Sequence, residues 1–355
     1  MKNTTVDKSN MRKVILDFPK QLEGALKLAK GIKVVGPFEN IIICGVGGSA
    51  LSANILISWV NSFKLKNSLL PIYTHRDYNL PIQANEKSLI ICISYSGNTE
   101  EPVSALKEAV KKKLKIVAIT TGGKIEIICK ENNIPLIKIP SGIQPRSATG
   151  YLFTSLVEVL EGVGILPNTS KDIQELAKEL KKISLEEEGK KIAKKLINKI
   201  PLIYSSNKFK NLARVWKIKF NENSKIPSFY NYFPELNHNE MVGFTNKKLI
   251  KNFCIIILKD KSDHPRNLER MDLFAKLMRT KGIKVEFINI RTMPRSVRQN
   301  LDSSLRSEIK SGDFLFKVLS TLILGDWVSY YLALEYKIDP TPVKIVEEFK
   351  KKLKE

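Results

Sequence analysis

Several short segments of this chain are apolar at every position rather than at every second one. Residues 41–44 and 89–93 are the clearest, and 70–73, 115–119 and 136–139 extend the series, the last two interrupted only by Lys115 and Lys138. A strand with one wet face alternates, whereas a strand apolar throughout is covered on both faces, as in a parallel sheet between helical layers. Helical stretches at 50–60, 100–112 and 149–160 separate these runs. The pattern predicts a doubly wound α/β domain over residues 35–165. After a charged helical stretch (171–199) the rhythm restarts. It has strands at 201–204, 253–258 and 285–290, helices around 211–222 and over 265–281, and a long helix at 313–336. A short amphipathic helix over 343–353 follows Asp339-Pro340-Thr341-Pro342. The second half therefore repeats the element order of the first. Val14, Ile15, Phe18, Leu22, Ala25 and Leu26 share one face of a helical lead-in over residues 10–30. The expected division is a lead-in (1–34), a first domain (35–165), a helical linker (166–199) and a second domain (200–355). A length of 355 residues suits two domains.

The chain carries 59 basic and 36 acidic residues, a formal charge of +23. That excess is mostly lysine spread along helices, as in Lys107–Lys113 and the 350–354 tail, with no zinc-finger spacing, zipper or aromatic-glycine RNA motif. It reads as a solvated surface rather than a nucleic-acid footprint, though the field would draw in an anionic substrate. None of the four cysteines (Cys44, Cys92, Cys129, Cys254) forms a C-x-x-C pair, and there are only three histidines. A Cys/His metal centre is therefore not expected, and free buried thiols suit a reduced, cytoplasmic setting. The N-terminal Met1–Asp7 stretch has no apolar run behind its charge and is not read as a signal peptide. The greasiest segment, 318–334, contains Gly325, Asp326 and Ser329 and reads as a buried helix, so no membrane association is expected.

Two loops fall at carboxyl ends of strands, where ligands bind in open α/β sheets. Gly45-Val46-Gly47-Gly48-Ser49 lets backbone approach a ligand closely and offers helix N–H groups to an anion. A tight strand-to-helix turn would need the same glycines. Ser94-Tyr95-Ser96-Gly97-Asn98-Thr99-Glu100-Glu101 gathers three hydroxyls, a glycine and a helix start. One of Ser96 and Thr99 suffices as N-cap, so three hydroxyls exceed what capping needs. The loop lacks the lysine of a nucleotide P-loop, which suits a phosphomonoester better than a triphosphate. Position 50 is alanine and no acidic residue closes the strand near Tyr73, which argues against a dinucleotide site. Further on, His238 sits among amides, carboxylates and a proline in a stretch without apolar period, which favours a working role over a core one. Glu222 ends the helix from 211 and on pattern alone is a surface glutamate.

These residues carry a resemblance. Gly45–Ser49, Ser94–Glu101, Gln144-Pro145-Arg146-Ser147-Ala148, Asn221-Glu222-Asn223, Glu235-Leu236-Asn237-His238-Asn239-Glu240 and Asp339–Val343 resemble the bifunctional phosphoglucose/phosphomannose isomerases of the sugar-isomerase (SIS) superfamily. The likeness extends over nearly the whole chain. It implies two doubly wound SIS domains, a homodimer, and interconversion of fructose 6-phosphate with glucose 6-phosphate and mannose 6-phosphate through a cis-enediol, without metal or other cofactor. It implies that Ser49, Ser94, Ser96 and Thr99, with the backbone of Gly47 and Gly48, hold the phosphate. Glu222 would be the base, Arg146 the cation beside the enediolate, and His238 the ring-opening group, supplied from either subunit. Lys350 most nearly matches a lysine that assists ring opening, with Lys344, Lys351 and Lys352 close by. The rivals are an SIS isomerase for another sugar phosphate and a non-catalytic sugar-phosphate sensor. A sensor would carry an N-terminal helix-turn-helix, for which the first 35 or so residues are too few, and would not need Glu222 together with His238.

Overall fold

The computed structural model of the protein describes residues 5–62, 70–295, 297 and 312–353. Met1 to Thr4 of the N-terminal stretch and Lys354 of the lysine tail lie outside these residues. The chain forms two compact units, one of Asp17–Ile183 with Met293–Phe316, the other of Met1–Leu16, Ser184–Thr292 and Lys317–Glu355.

The first unit contains a five-stranded, fully parallel sheet in the order β2-β1-β3-β4-β5. Its strands are β1 (Asn40–Cys44), β2 (Ile72–His75), β3 (Ser88–Ser94), β4 (Lys115–Thr120) and β5 (Leu136–Lys138). Every residue of β1 and β3 is buried, as strands without alternation require. Strand β2 starts two residues later than the sequence suggests, and a helix at Gly123–Glu131 is additional. The lead-in is two helices, Met11–Leu16 and Phe18–Leu28, divided between the units at Asp17.

The second unit contains β6 (Ile200–Ser206), β7 (Phe229–Phe233), β8 (Phe253–Lys259) and β9 (Lys284–Asn289), parallel and in the order β7-β6-β8-β9. This repeats the first sheet's order without its fifth strand. The expected charged linker is two helices, Ser170–Lys182 and Glu186–Lys195. The apolar 318–334 segment lies in the helix Gly312–Glu335 and is almost entirely buried. Among the described residues, no helix is long and apolar enough to cross a membrane. All four cysteines are free and buried.

Candidate active site

In the first sheet the strand order reverses at β1, which has β2 on one side and β3 on the other. The crevice beyond β1 and β3 is the topological switch point, and both loops singled out above leave the sheet there. Ser49 opens the helix Ser49–Val60, and its Oγ accepts the Tyr95 N–H at 3.1 Å, which joins the two loops. Ser94 Oγ accepts the Gly97 N–H (3.1 Å) and donates to Thr99 Oγ1 (2.9 Å). Ser96 Oγ accepts the Asn98 N–H at 3.3 Å. Thr99 is the N-cap of Glu100–Lys111, yet its side chain makes no capping bond. The hydroxyl hydrogens of Ser49, Ser96 and Thr99 thus remain uncommitted among the described residues, whereas Ser94 spends its own on the loop.

Two glycines are fixed by space. Gly97 has φ +69°, and a Cβ there would lie 1.7 Å from the Gly122 carbonyl oxygen. A Cβ on Gly48 would lie 2.6 Å from the Arg146 backbone nitrogen. That second contact brings the Pro145–Ser147 turn against the glycine loop. The Arg146 side chain is fully buried and donates from Nη1 to Gln144 Oε1 at 3.3 Å. The turn is held by Gln21 of the lead-in, which donates to the Ser147 carbonyl (2.8 Å) and accepts from the Gly150 N–H (3.1 Å). Gln21 is a buried amide within an otherwise apolar helix face, and that is the one signal by which sequence could have found it. Tyr95 braces the far side: its hydroxyl donates to the Pro140 carbonyl (3.0 Å) and accepts from Ile143 N–H (3.2 Å). Burial pushes its pKa up, so it stays a donor.

The corresponding crevice of the second sheet is filled from within. Lys317, buried, reaches Asp260 (3.1 Å) and Ser262 Oγ (3.2 Å) beyond β8, and Ser206 at the end of β6 donates to Asp263 (2.8 Å).

Glu222 lies in the second unit. The helix Lys210–Lys219 does not end in an α-helical turn at Glu222 but widens into a π turn, Phe220–Ser224, a feature common at working sites. Buried neighbours hold this turn. Lys219 pairs with Asp326 at 2.6 Å, Asn223 Nδ2 donates to Ser329 Oγ (3.0 Å), and Ser224 Oγ donates to the Ser329 carbonyl (2.7 Å). Lys225 closes it in the left-handed conformation (φ 58°), its ammonium donating to the Glu222 and Pro340 carbonyls. Glu222 itself is half-buried.

His238 is exposed, after the Glu235–Asn237 turn that follows β7. Glu222 precedes β7 and His238 follows it. Five residues of strand at about 3.3 Å each put roughly 16 Å between the two edges of the sheet. Glu222 and His238 of one chain thus lie on the segments that enter and leave β7 at its opposite ends. Lys350 is exposed on the helix Lys344–Lys352, beside Lys351 and Lys352. Among the described residues no group of three or more His, Cys, Asp or Glu side chains is placed to hold a metal. A separate cleft of about 750 Å³ in the first unit, lined by residues such as Lys27, Lys30, Glu158 and Glu161, contains none of the predicted site residues.

Known proteins match this arrangement. Residues 38–153 match the SIS domain, and residues 185–353 match the bacterial phospho-glucose isomerase C-terminal SIS domain. The bifunctional phosphoglucose/phosphomannose isomerase of Caldicellulosiruptor bescii is 38% identical over 355 residues, covering 96% of this chain and 98% of the relative. The chain belongs to this isomerase family. The enzyme of the same description from Aquifex aeolicus is 33% identical, covering 91% of this chain and 92% of its own. A D-glucosamine-6-phosphate 4-epimerase of Sulfolobus acidocaldarius is 30% identical over 66% of this chain and 74% of its own. Among solved structures, the C-terminal domain of the Francisella tularensis glucosamine-fructose-6-phosphate aminotransferase shares the fold. Its TM-score is 0.65 at 15% identity, over 93% of this chain and 97% of that one. The protein is thus a sugar-phosphate isomerase built from two SIS domains.

Proposed function

We propose that this isomerase interconverts fructose 6-phosphate with glucose 6-phosphate and mannose 6-phosphate by carrying one proton between C1 and C2 on Glu222. The observation that carries the substrate class is the set of three uncommitted hydroxyl hydrogens, of Ser49, Ser96 and Thr99, at the switch point of the first sheet. A phosphate monoester there accepts those hydrogens and the N–H groups of Gly47, Gly48 and the helix starts, with Ser94 holding the loop in shape. Phosphate binding remote from the reacting carbons supplies energy that orients them.

A proton alpha to a carbonyl is weakly acidic, so its removal needs a carboxylate within about 3 Å and a cation near the developing enediolate. Arg146 stays charged at any working pH and is already stripped of water. Delivery of the same proton to C1 or to either face of C2 gives ketose, glucose or mannose configuration, so one base serves both activities. His238 opens the sugar ring, assisted by Lys350. The separation of Glu222 from His238 across the second sheet supports a homodimer in which one protomer's His238 completes its partner's site. Exposed Phe229, Val242 and Leu249, which flank His238 in sequence, offer apolar surface for that contact.

The test is a coupled assay of the purified protein with fructose 6-phosphate, reading glucose 6-phosphate and mannose 6-phosphate separately; both are expected. The epimerase relative supports one alternative, and epimerisation of glucosamine 6-phosphate without either isomer forming would favour it.

A further inference from the structure

His238 is exposed, and its ring makes no hydrogen bond to the described residues, so its aim depends on how its backbone is held. Two anchors flank it. Two residues earlier, Leu236 is fully buried in the apolar cluster that contains Tyr204, Phe233, Phe244 and Phe274. Two residues later, the Glu240 carboxylate accepts hydrogen bonds from the Tyr204 hydroxyl on β6 and from Asn231 Nδ2 on β7. Between the anchors, Asn239 Nδ2 donates to Glu235 Oε1 (2.8 Å) and its Oδ1 accepts the Glu240 N–H (2.6 Å). Asn237 Oδ1 accepts from Arg270 at 3.4 Å.

We propose that Glu240, held by Tyr204 and Asn231, is the positioning residue for His238. The inference rests on the reading that His238 opens the sugar ring. The Tyr204 hydroxyl is buried in the sheet, and a carboxylate is the strongest acceptor it can meet there. Burial, with the neighbouring Glu240, drives the Tyr204 pKa far upward, so the hydroxyl remains a donor at all working pH. A charge-assisted bond from each of two adjacent strands fixes Glu240 in the frame of the sheet, and the two-residue tether fixes the His238 backbone. A surface loop would otherwise let the imidazole wander by an ångström or more, enough to cost about 100-fold in a positioned proton transfer.

Ring opening can be separated from enolisation by substrate. Fructose 6-phosphate is cyclic, whereas 5-deoxyfructose 6-phosphate lacks the hydroxyl that closes its ring and is acyclic. In the full-length enzyme, exchange of the C1 proton with D₂O is measured for both by NMR. His238→Ala is expected to lose about 100-fold on the cyclic substrate and little on the acyclic one. Tyr204→Phe and Glu240→Gln are expected to lose about 10-fold on the cyclic substrate, with less than about 2-fold change on the acyclic one and in KM. Tyr204→Phe keeps the ring packed against Phe233 and Phe274, so folding survives. Adding Tyr204→Phe to His238→Ala should cost nothing further. If His238→Ala is itself unselective, the ring-opening reading falls and the proposal with it. If His238→Ala is selective while Tyr204→Phe and Glu240→Gln lose both substrates equally, or neither, the positioning role alone is overturned.

Discussion

Replacing Asp326 by asparagine should damage the enzyme at a distance from any substrate. Asp326 lies 2.6 Å from the Lys219 ammonium, and the two residues are only 5% and 1% exposed. The substitution keeps an acceptor of the same shape but removes the charge, and leaves an ammonium desolvated without its counter-ion. Breaking a buried pair from one side costs about 3–5 kcal/mol, and the retained acceptor puts the expectation near the lower figure. At roughly 2–4 °C per kcal/mol for a unit of this size, the second unit should melt about 6–12 °C lower. Lys219 is also the last residue before the π turn that carries Glu222, so kcat should fall at temperatures where the variant is still folded. Thermal unfolding by circular dichroism, with kcat measured below the transition, reads both effects. The double variant Lys219→Met/Asp326→Leu should recover most of the stability, because the cost lies in the unpaired charge. An Asp326→Asn protein within about 0.5 kcal/mol of wild type would refute the reasoning.

Three further outcomes are expected. Ser96→Ala should raise KM for fructose 6-phosphate with a smaller effect on kcat, as steady-state kinetics will read, since its hydroxyl hydrogen is uncommitted within the loop. Gly48→Ala should impair activity at least 10-fold, because the new methyl would displace the Arg146 backbone that now lies 2.6 Å from its position. Asp263→Asn should gain stability relative to wild type as pH rises. Burial raises the Asp263 pKa in the folded protein more than the Ser206 hydrogen bond lowers it. A raised acid pKa means the folded state loses stability as pH climbs from about 4 through the folded value, a loss the asparagine lacks. Denaturant unfolding of both proteins at pH 4 and pH 7 checks the sign.

The apolar strands were legible because burial on both faces leaves their interiors without polar positions, as Ile41–Cys44 of β1 and Leu89–Ile93 of β3 show. Strand β7, Phe-Tyr-Asn-Tyr-Phe, was not. It is an edge strand with Phe229 and Tyr230 exposed, so it carries neither a continuous apolar run nor strict alternation. The helix Gly123–Glu131 was hidden by the Gly122-Gly123 pair at its start, of which Gly123 is demanded by tight packing against Ser96 and Asn98. The phosphate-type loops were legible because hydroxyls and glycines cluster within a few residues. The setting of Glu222 was not, because a π turn depends on contacts with Ser329, Asp326 and Pro340, more than a hundred residues away. For the same reason the glutamate looked like a surface residue on pattern alone. The opposition of Glu222 and His238 across β7 also needed the strand that sequence did not reveal.

Deuterium incorporation separates proton abstraction from everything else a variant might disturb. With Glu222→Gln in D₂O, label entry at C1 of fructose 6-phosphate and at C2 of the aldose 6-phosphate product should fall by about 10²–10⁴-fold, while calorimetry finds the sugar phosphate still bound. Label entering at close to the wild-type rate would mean that another group moves the proton, and the assignment of Glu222 as base would be wrong.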